Sequence, residues 1–165
     1  MITSNISLGT NVNIDPSASV NNTTIGDNTR IAKRCSVFGS PENILLIGAD
    51  TYIGMNSIIN GFSAQVTIGR NVSIAQNVNI MADSGPNASP ELQKLFPIIK
   101  DRVTIGDHCW LGANSIIMPG VVLGKFCIVA ANSFVNKSFP EYSVIGGSPA
   151  RLIRTLSEDE IARLG

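Results

Sequence analysis

The chain has 165 residues, with twelve Lys and Arg balanced by twelve Asp and Glu. It shows no basic stripe, which argues against nucleic acid or an anionic membrane surface as the main partner. Although 44% of residues are hydrophobic, only 5% are aromatic, so small and medium aliphatics must build a thin, regular core. No apolar run is long enough to span a bilayer, which predicts no membrane insertion.

The opening MITSNISLGT has no basic stretch followed by an apolar one, so no signal peptide is expected. Three cysteines without paired spacing fit reduced thiols and a cytoplasmic protein.

From Leu8 onward an aliphatic residue recurs at six-residue spacing: Leu8, Ile14, Val20, then Ile25, Ile31, Val37. Ile47, Ile53, Ile59 and Ile68, Ile74, Ile80 continue it, and Ile105, Leu111, Ile117, Leu123, Val129 and Val135 run unbroken. A period of six suits neither an amphipathic helix nor an alternating strand. It suits a coil with three flat sides, one aliphatic pointing inward from each and stacking on its equivalent in the next coil. Four residues after each aliphatic comes a second inward site for a small side chain, among them Thr29, Cys35, Thr51, Ser57, Ser63, Cys109 and Cys127. All three cysteines fall there, which makes them small buried packing groups. Gly or Ala, then Asn, follow the aliphatics at the expected corners, where tight turns and positive φ are needed.

Register breaks mark where the chain leaves the coil. One residue is lost between Val20 and Ile25, and extra residues enter at 40–43 and 61–65. The longest break, residues 82–102, holds three prolines and a short helical candidate starting at Ser89-Pro90-Glu91. A long loop protruding from a regular repeat points to function. The division is therefore a β-helix over 1–137, with 82–102 protruding, and a C-terminal segment over 138–165. That segment reads as a strand at 143–145, a turn at 146–149 and a closing helix packed on the prism. Ser157 with Glu160 forms a capping box, and Leu156 with Ile161 a hydrophobic staple.

The run VTIGDHCWLGANSIIMPGVVLGKFCIVAANSFVNKSFPEYSVIGGSPARLIR resembles the galactoside and maltose O-acetyltransferase branch of the hexapeptide-repeat acyltransferases. The resemblance is close over residues 66–154 and generic over 8–60. It implies an all-β, left-handed parallel β-helix of about six coils, assembled as a homotrimer with active sites between prisms. It also implies acetyl-CoA as acyl donor, no metal, and a sugar or amino-sugar acceptor, with direct transfer in a ternary complex. By position, Ala113 and Ala131 fall where backbone meets pantetheine. Asn136 and Lys137 fall where a Thr-Lys pair lies near CoA, and Arg151 and Arg154 where cations approach the phosphates. Trp110 falls at the acceptor.

One departure bears on chemistry. The family's loop histidine, which would take the proton from a hydroxyl acceptor, has no counterpart in Met81-Ala82-Asp83-Ser84-Gly85-Pro86-Asn87; Gly85 stands near its place. Asp83, in the loop, and His108, the only histidine, are the candidate catalytic groups, with Asp83 also a candidate acceptor contact. An amine acceptor needs no such base, because its neutral form attacks a thioester once aligned. Two other classes compete. A zinc carbonic anhydrase of this fold needs three histidines. A non-catalytic β-helix scaffold needs neither the loop nor the Gly-Ser-Pro-Ala-Arg segment.

Overall fold

One aliphatic in six finds a dry place only if the chain returns over itself in register, and it does. The computed structural model describes residues 2–164, which form a left-handed parallel β-helix of about six coils with two short helices.

Three sides alternate along the chain. Side 1 stacks Leu45–Ile47, Val66–Ile68, Val103–Ile105 and Val122–Leu123. Side 2 stacks Asn13–Ile14, Arg30–Ile31, Tyr52–Ile53, Ser73–Ile74, Trp110–Leu111 and Ile128–Val129. Side 3 stacks Ser36–Phe38, Ile58–Asn60, Asn79–Met81, Ile116–Ile117 and Phe134–Val135. Every step within a side is parallel and in register. At roughly 4.8 Å per step the six coils span about 29 Å. The inward column of side 2 runs Ile31, Ile53, Ile74, Leu111, Val129 and Ile145, all buried.

The missing residue between Val20 and Ile25 leaves no gap. Strand Ser19–Ile25 runs through the corner, with Asn22 at φ 50°, and pairs with the equally continuous Ile2–Leu8. In later coils this same corner, between sides 3 and 1, carries the inserts at 40–43, 61–65 and 82–102. Each insert precedes the small inward site, so Leu45, Val66 and Val103 continue the column that Ile6 and Thr23 begin. Ser63, expected in that column, is displaced into its insert and only half-buried.

Thr29, Thr51 and Ser57 settle their hydroxyls on the next coil, whereas the buried Ser115 hydroxyl has no partner among the described residues. Thr29 Oγ1 donates to the Gly48 carbonyl at 2.9 Å and Thr51 Oγ1 to Gly69 at 3.0 Å. Cys35, Cys109 and Cys127 do likewise toward Gly54, Gly124 and Pro140, so the thiols behave as slim hydroxyl equivalents. The left-handed corner conformation falls mostly on Asn, as at Asn28, Asn71 and Asn114, but also on Arg34, Asp50, His108, Phe126 and Tyr142, whereas most Gly serve close approach. A Cβ on Gly112 would lie 2.5 Å from the Ala131 nitrogen of the next coil.

After the last coil Ser143–Gly147 adds to side 2, and Ala150–Thr155 pairs back on it antiparallel. That second strand replaces the turn-to-helix passage expected from sequence. Helix α2, Glu158–Ala162, has the expected capping box; none of its residues is fully buried, and Ile161 is half-buried.

Truncating the core tests the stack. Leu111→Ala should lower stability by about 2–5 kcal/mol in urea unfolding. Leu95→Ala, in the loop and 74% exposed, should stay within about 0.5 kcal/mol. Similar losses for both would contradict the stacked core.

Candidate active site

Outward residues of side 2 and of the corner after it form the candidate site. A groove of about 490 Å³ is lined by Trp110 and Ile128 on the flat side and by Ala75, Gly112, Ala113, Ala130 and Ala131 at the corner. Its shape follows from the hexad. The residues after each inward aliphatic are here reduced to Gly and Ala, so the corner is cut back and Trp110 stands above it as a wall. Trp110 is 56% exposed, a large apolar surface with no cover from its own chain. No ionisable side chain lines the groove.

The floor presents backbone donors. Among the described residues the N–H groups of Ala113 and Ala131 have no acceptor, and their methyl side chains leave them within reach of a ligand. Beyond the last coil, Arg151 pairs with Gly146, which sits against Ala130. Arg151 is exposed, with one guanidinium nitrogen bonded to the Ala150 carbonyl at 3.0 Å. From Arg151 to Ala75 is four strand spacings, roughly 19 Å.

The other expected contacts lie elsewhere on the chain. Arg154 is committed to Glu160, donating to both carboxylate oxygens at 2.7 and 2.9 Å. Asn136 and Lys137 follow Phe134–Val135 at the corner between sides 3 and 1, where Lys137 Nζ lies 5.4 Å from the Phe139 ring centre. Asp83 occupies the same corner, in the pair Asp83–Ser84 with Ile99–Lys100 at the base of the large loop. Its carboxylate accepts from Asn60 Nδ2 at 3.3 Å. His108 has φ 58° and stacks on Phe126 at 4.6 Å, continuing a corner ladder from Asn71 to Tyr142. Five residues of extended chain, roughly 16 Å, separate it from Ala113.

The loop carries α1, Pro90–Gln93, with Ser89 as N-cap and Pro90 at its start as expected. Its tip exposes Leu95 and Phe96, the latter by 65%. Gly85 has no room for a larger residue: an added Cβ would lie 2.8 Å from the Ile98 Cα. The loop is therefore built without a histidine at that position.

Sequence reasoning missed a second hollow of about 270 Å³ on side 2, lined by Asn13, Asp15, Arg30, Lys33, Tyr52 and Met55. The Arg30 guanidinium lies 5.4 Å from the Tyr52 ring centre there. The signal was present, since Arg30 and Tyr52 each precede an inward aliphatic and so must face out from one side. Hydrogen bonds from the Ser17 side chain and backbone hold Asp15 below the usual carboxylate range. A hydrogen bond with Cys127, and burial, push Cys109 up, burial pushes Cys35 up, and the hydrogen bond with Cys109 holds Cys127 below its ordinary value. Among the described residues no three His, Cys, Asp or Glu gather as a metal-ligand set, and no helix is long and apolar enough to cross a membrane.

Stacked hexads with a groove cut along one corner define a hexapeptide-repeat β-helix protein, and known proteins resemble it in sequence and fold. The family model of the hexapeptide repeat of succinyl-transferase matches residues 44–82 and 102–137. Over 136 residues, 82% of this chain, the sequence is 33% identical to the galactoside O-acetyltransferase of Escherichia coli K12. It is 36% identical over 105 residues, 57% of this chain, to the putative lipopolysaccharide biosynthesis O-acetyl transferase WbbJ of the same organism. The chain spans only 64% and 52% of those two proteins. The N-acyltransferase AntD of Bacillus cereus, solved with dTDP and 3-hydroxybutyryl-CoA, superposes with a TM-score of 0.81 at 27% identity, covering 96% of this chain and 86% of AntD. The chain carries the hexapeptide repeat and is similar in sequence and fold to hexapeptide-repeat sugar acyltransferases.

The Arg154–Glu160 pair makes a pH prediction. Hydrogen bonds from Arg154, then from the Ser157 backbone, hold Glu160 down at about 2, against an ordinary 4.5. A depressed folded value stabilises the tail above the unfolded value, and that contribution is lost as pH falls from about 4.5 toward 2. Carboxyl-carbon NMR titration should find Glu160 near 2 in the wild type and moved up toward 4.5 in Arg154→Gln. An unmoved value in the variant would discount the pair.

Proposed function

We propose that the protein transfers an acyl group from an acyl-CoA to a sugar or amino-sugar acceptor, directly and within a ternary complex. The observation that carries this reading is the smooth groove over Ala131 and Ala113. It is narrow, apolar and edged with free N–H groups, and it ends toward a cation, Arg151. A pantetheine arm has matching chemistry: a thin chain with two amides, a phosphate end and a thioester end. Structural neighbours support the donor, since AntD and a galactoside acetyltransferase were solved with coenzyme A or an acyl derivative. The acceptor class is supported by AntD bound to dTDP-4-amino-4,6-dideoxyglucose and by the galactoside and polysaccharide relatives.

On this reading Arg151 holds phosphate oxygens, which suits its planar fork. Arg154 supports the tail through Glu160 and would reach phosphate only by leaving it. The thioester lies toward Ala75, beneath Trp110, whose ring stacks on the acceptor. The acceptor nitrogen or oxygen bonds to the thioester carbon, the carbon–sulfur bond breaks, and CoA leaves with the sulfur. The proton released by the acceptor passes to a carboxylate or to water. Asp83 is the carboxylate proposed for this, and His108 is the weaker candidate because it is tied into its corner stack. With Gly85 closed to a side chain, an amine acceptor is the better match.

One chain does not bring these groups together. Trp110 stands on side 2, and Ala113 and Ala131 sit at the corner between sides 2 and 3. At the corner between sides 3 and 1, Asn136 and Lys137 sit on the coil of Ala131, and Asp83 on the coil of Ala75. Two half-sites at equal height on different corners face each other if identical prisms stand side by side around a threefold axis. The homotrimer is thus part of the proposal. Three buried free thiols fit the reducing cytoplasm.

Calorimetry with acetyl-CoA tests the reading, alongside sedimentation to report assembly. Saturable binding near one per chain is expected. Arg151→Ala should weaken it about tenfold or more, by loss of a charged hydrogen bond. Ala131→Leu, which fills the groove, should abolish it. No binding at millimolar acetyl-CoA by the intact assembly would leave a scaffold.

A further inference from the structure

Resting on the donor reading above, we infer that Gln76 sets the length of acyl group the protein accepts, by closing the donor groove at the coil below Ala113.

The corner residues two places after the inward aliphatics of side 2 stand directly over one another. Backbone bonds fix this column. Asn132 N–H donates to the Ala113 carbonyl at 2.9 Å, Asn114 N–H to Gln76 at 3.1 Å, Asn77 N–H to Met55 at 3.0 Å, and Asn56 N–H to Lys33 at 3.0 Å. From the tail toward the N-terminus the column therefore reads Ala131, Ala113, Gln76, Met55, Lys33. Side-chain size changes abruptly within it. A thin chain crosses two alanines with nothing above the methyl groups. One step further, roughly 4.8 Å on, it meets the Cβ and Cγ of Gln76. Those atoms are held by a backbone locked into its coil, so only the distal amide can swing away.

Gln76 also lies between the two hollows of this side. The first ends at Ala75 and the second begins at Met55 and Tyr52. On the flat side the residue between Tyr52 and Trp110 is Ser73, which pairs with both and is too small to form a barrier. Gln76 is thus the obstacle on the corner path. An acetyl group stops short of it. The added carbons of a butyryl group would run into it, although apolar surface on Met55 and Tyr52 lies just beyond. Gln76 is exposed and its side chain makes no hydrogen bond among the described residues, so replacing it leaves the coil intact.

The test is the ratio of dissociation constants for butyryl-CoA and acetyl-CoA by calorimetry, with free CoA as reference. No acceptor is required. The wild type should bind butyryl-CoA more weakly than acetyl-CoA. In Gln76→Ala the butyryl-CoA affinity should rise about tenfold relative to acetyl-CoA, the gain expected from burying two further methylenes. Free CoA should bind both proteins alike, which also reports that the variant is folded. Gln76→Met, of similar length, should keep the wild-type preference. If CoA binds but the ratio is the same in wild type and Gln76→Ala, the inference is overturned while the donor reading stands. If the wild type binds no CoA, the donor reading fails and takes this inference with it.

Discussion

Everything in this molecule depends on identical inward positions lying directly above one another at one strand spacing. A coil has a core only two or three side chains wide, too thin to bury anything alone. Burial comes from stacking on the coils above and below. Any residue that shifts register moves an aliphatic out of its column, so variation is confined to corners. This explains why inserts at 40–43, 61–65 and 82–102 share one corner and enter ahead of the small inward site. There Leu45, Val66 and Val103 restore the column before the next flat side begins.

The same constraint makes a binding surface cheap to build. Because every outward position repeats at fixed height, changing side-chain size along one column carves a groove without disturbing the core. Ala113 and Ala131 open the corner, Gln76 and Met55 close it, and the aliphatics beneath them, Ile53 to Val129, stay buried throughout. The ladder places functional groups at multiples of one spacing, which suits a long thin donor. It also prevents one chain from surrounding a substrate, since a groove on one corner of a prism stays open outward. A cover has to come from the protruding loop or from a second prism. The apolar tip of that loop, at Leu95 and Phe96, is what a covering element would present.

The departure at Gly85 takes physical form in the loop. The paired segments at its base bring Ile98 against Gly85 so closely that a side chain there would force them apart. Loss of the usual base and the packing of this loop therefore go together. Asp83, one strand residue away and held by Asn60, keeps a carboxylate at the loop's origin.

Spacing alone determined the hexads, the inward columns, the burial of all three cysteines, the places of the inserts and the two helix starts at Ser89 and Ser157. These are local or periodic properties, and a period leaves little freedom once stacking is required. The motifs around Trp110, Ala113 and Ala131 pointed to one surface, and these three do share one groove. Which other side chains meet it was decided only by the tertiary structure. Arg154 turned to Glu160 because the strand Ala150–Thr155 doubles back and brings the capping box beside it. His108 was absorbed by a ring stack on Phe126. Asp83, Asn136 and Lys137 landed on another corner, because position within a hexad fixes inside or outside while the count of sides fixes direction. The role of Gln76 was hidden for the same reason. In sequence it is one polar corner residue among many, and only the column through Ala113 and Met55 makes it the step at the end of the groove.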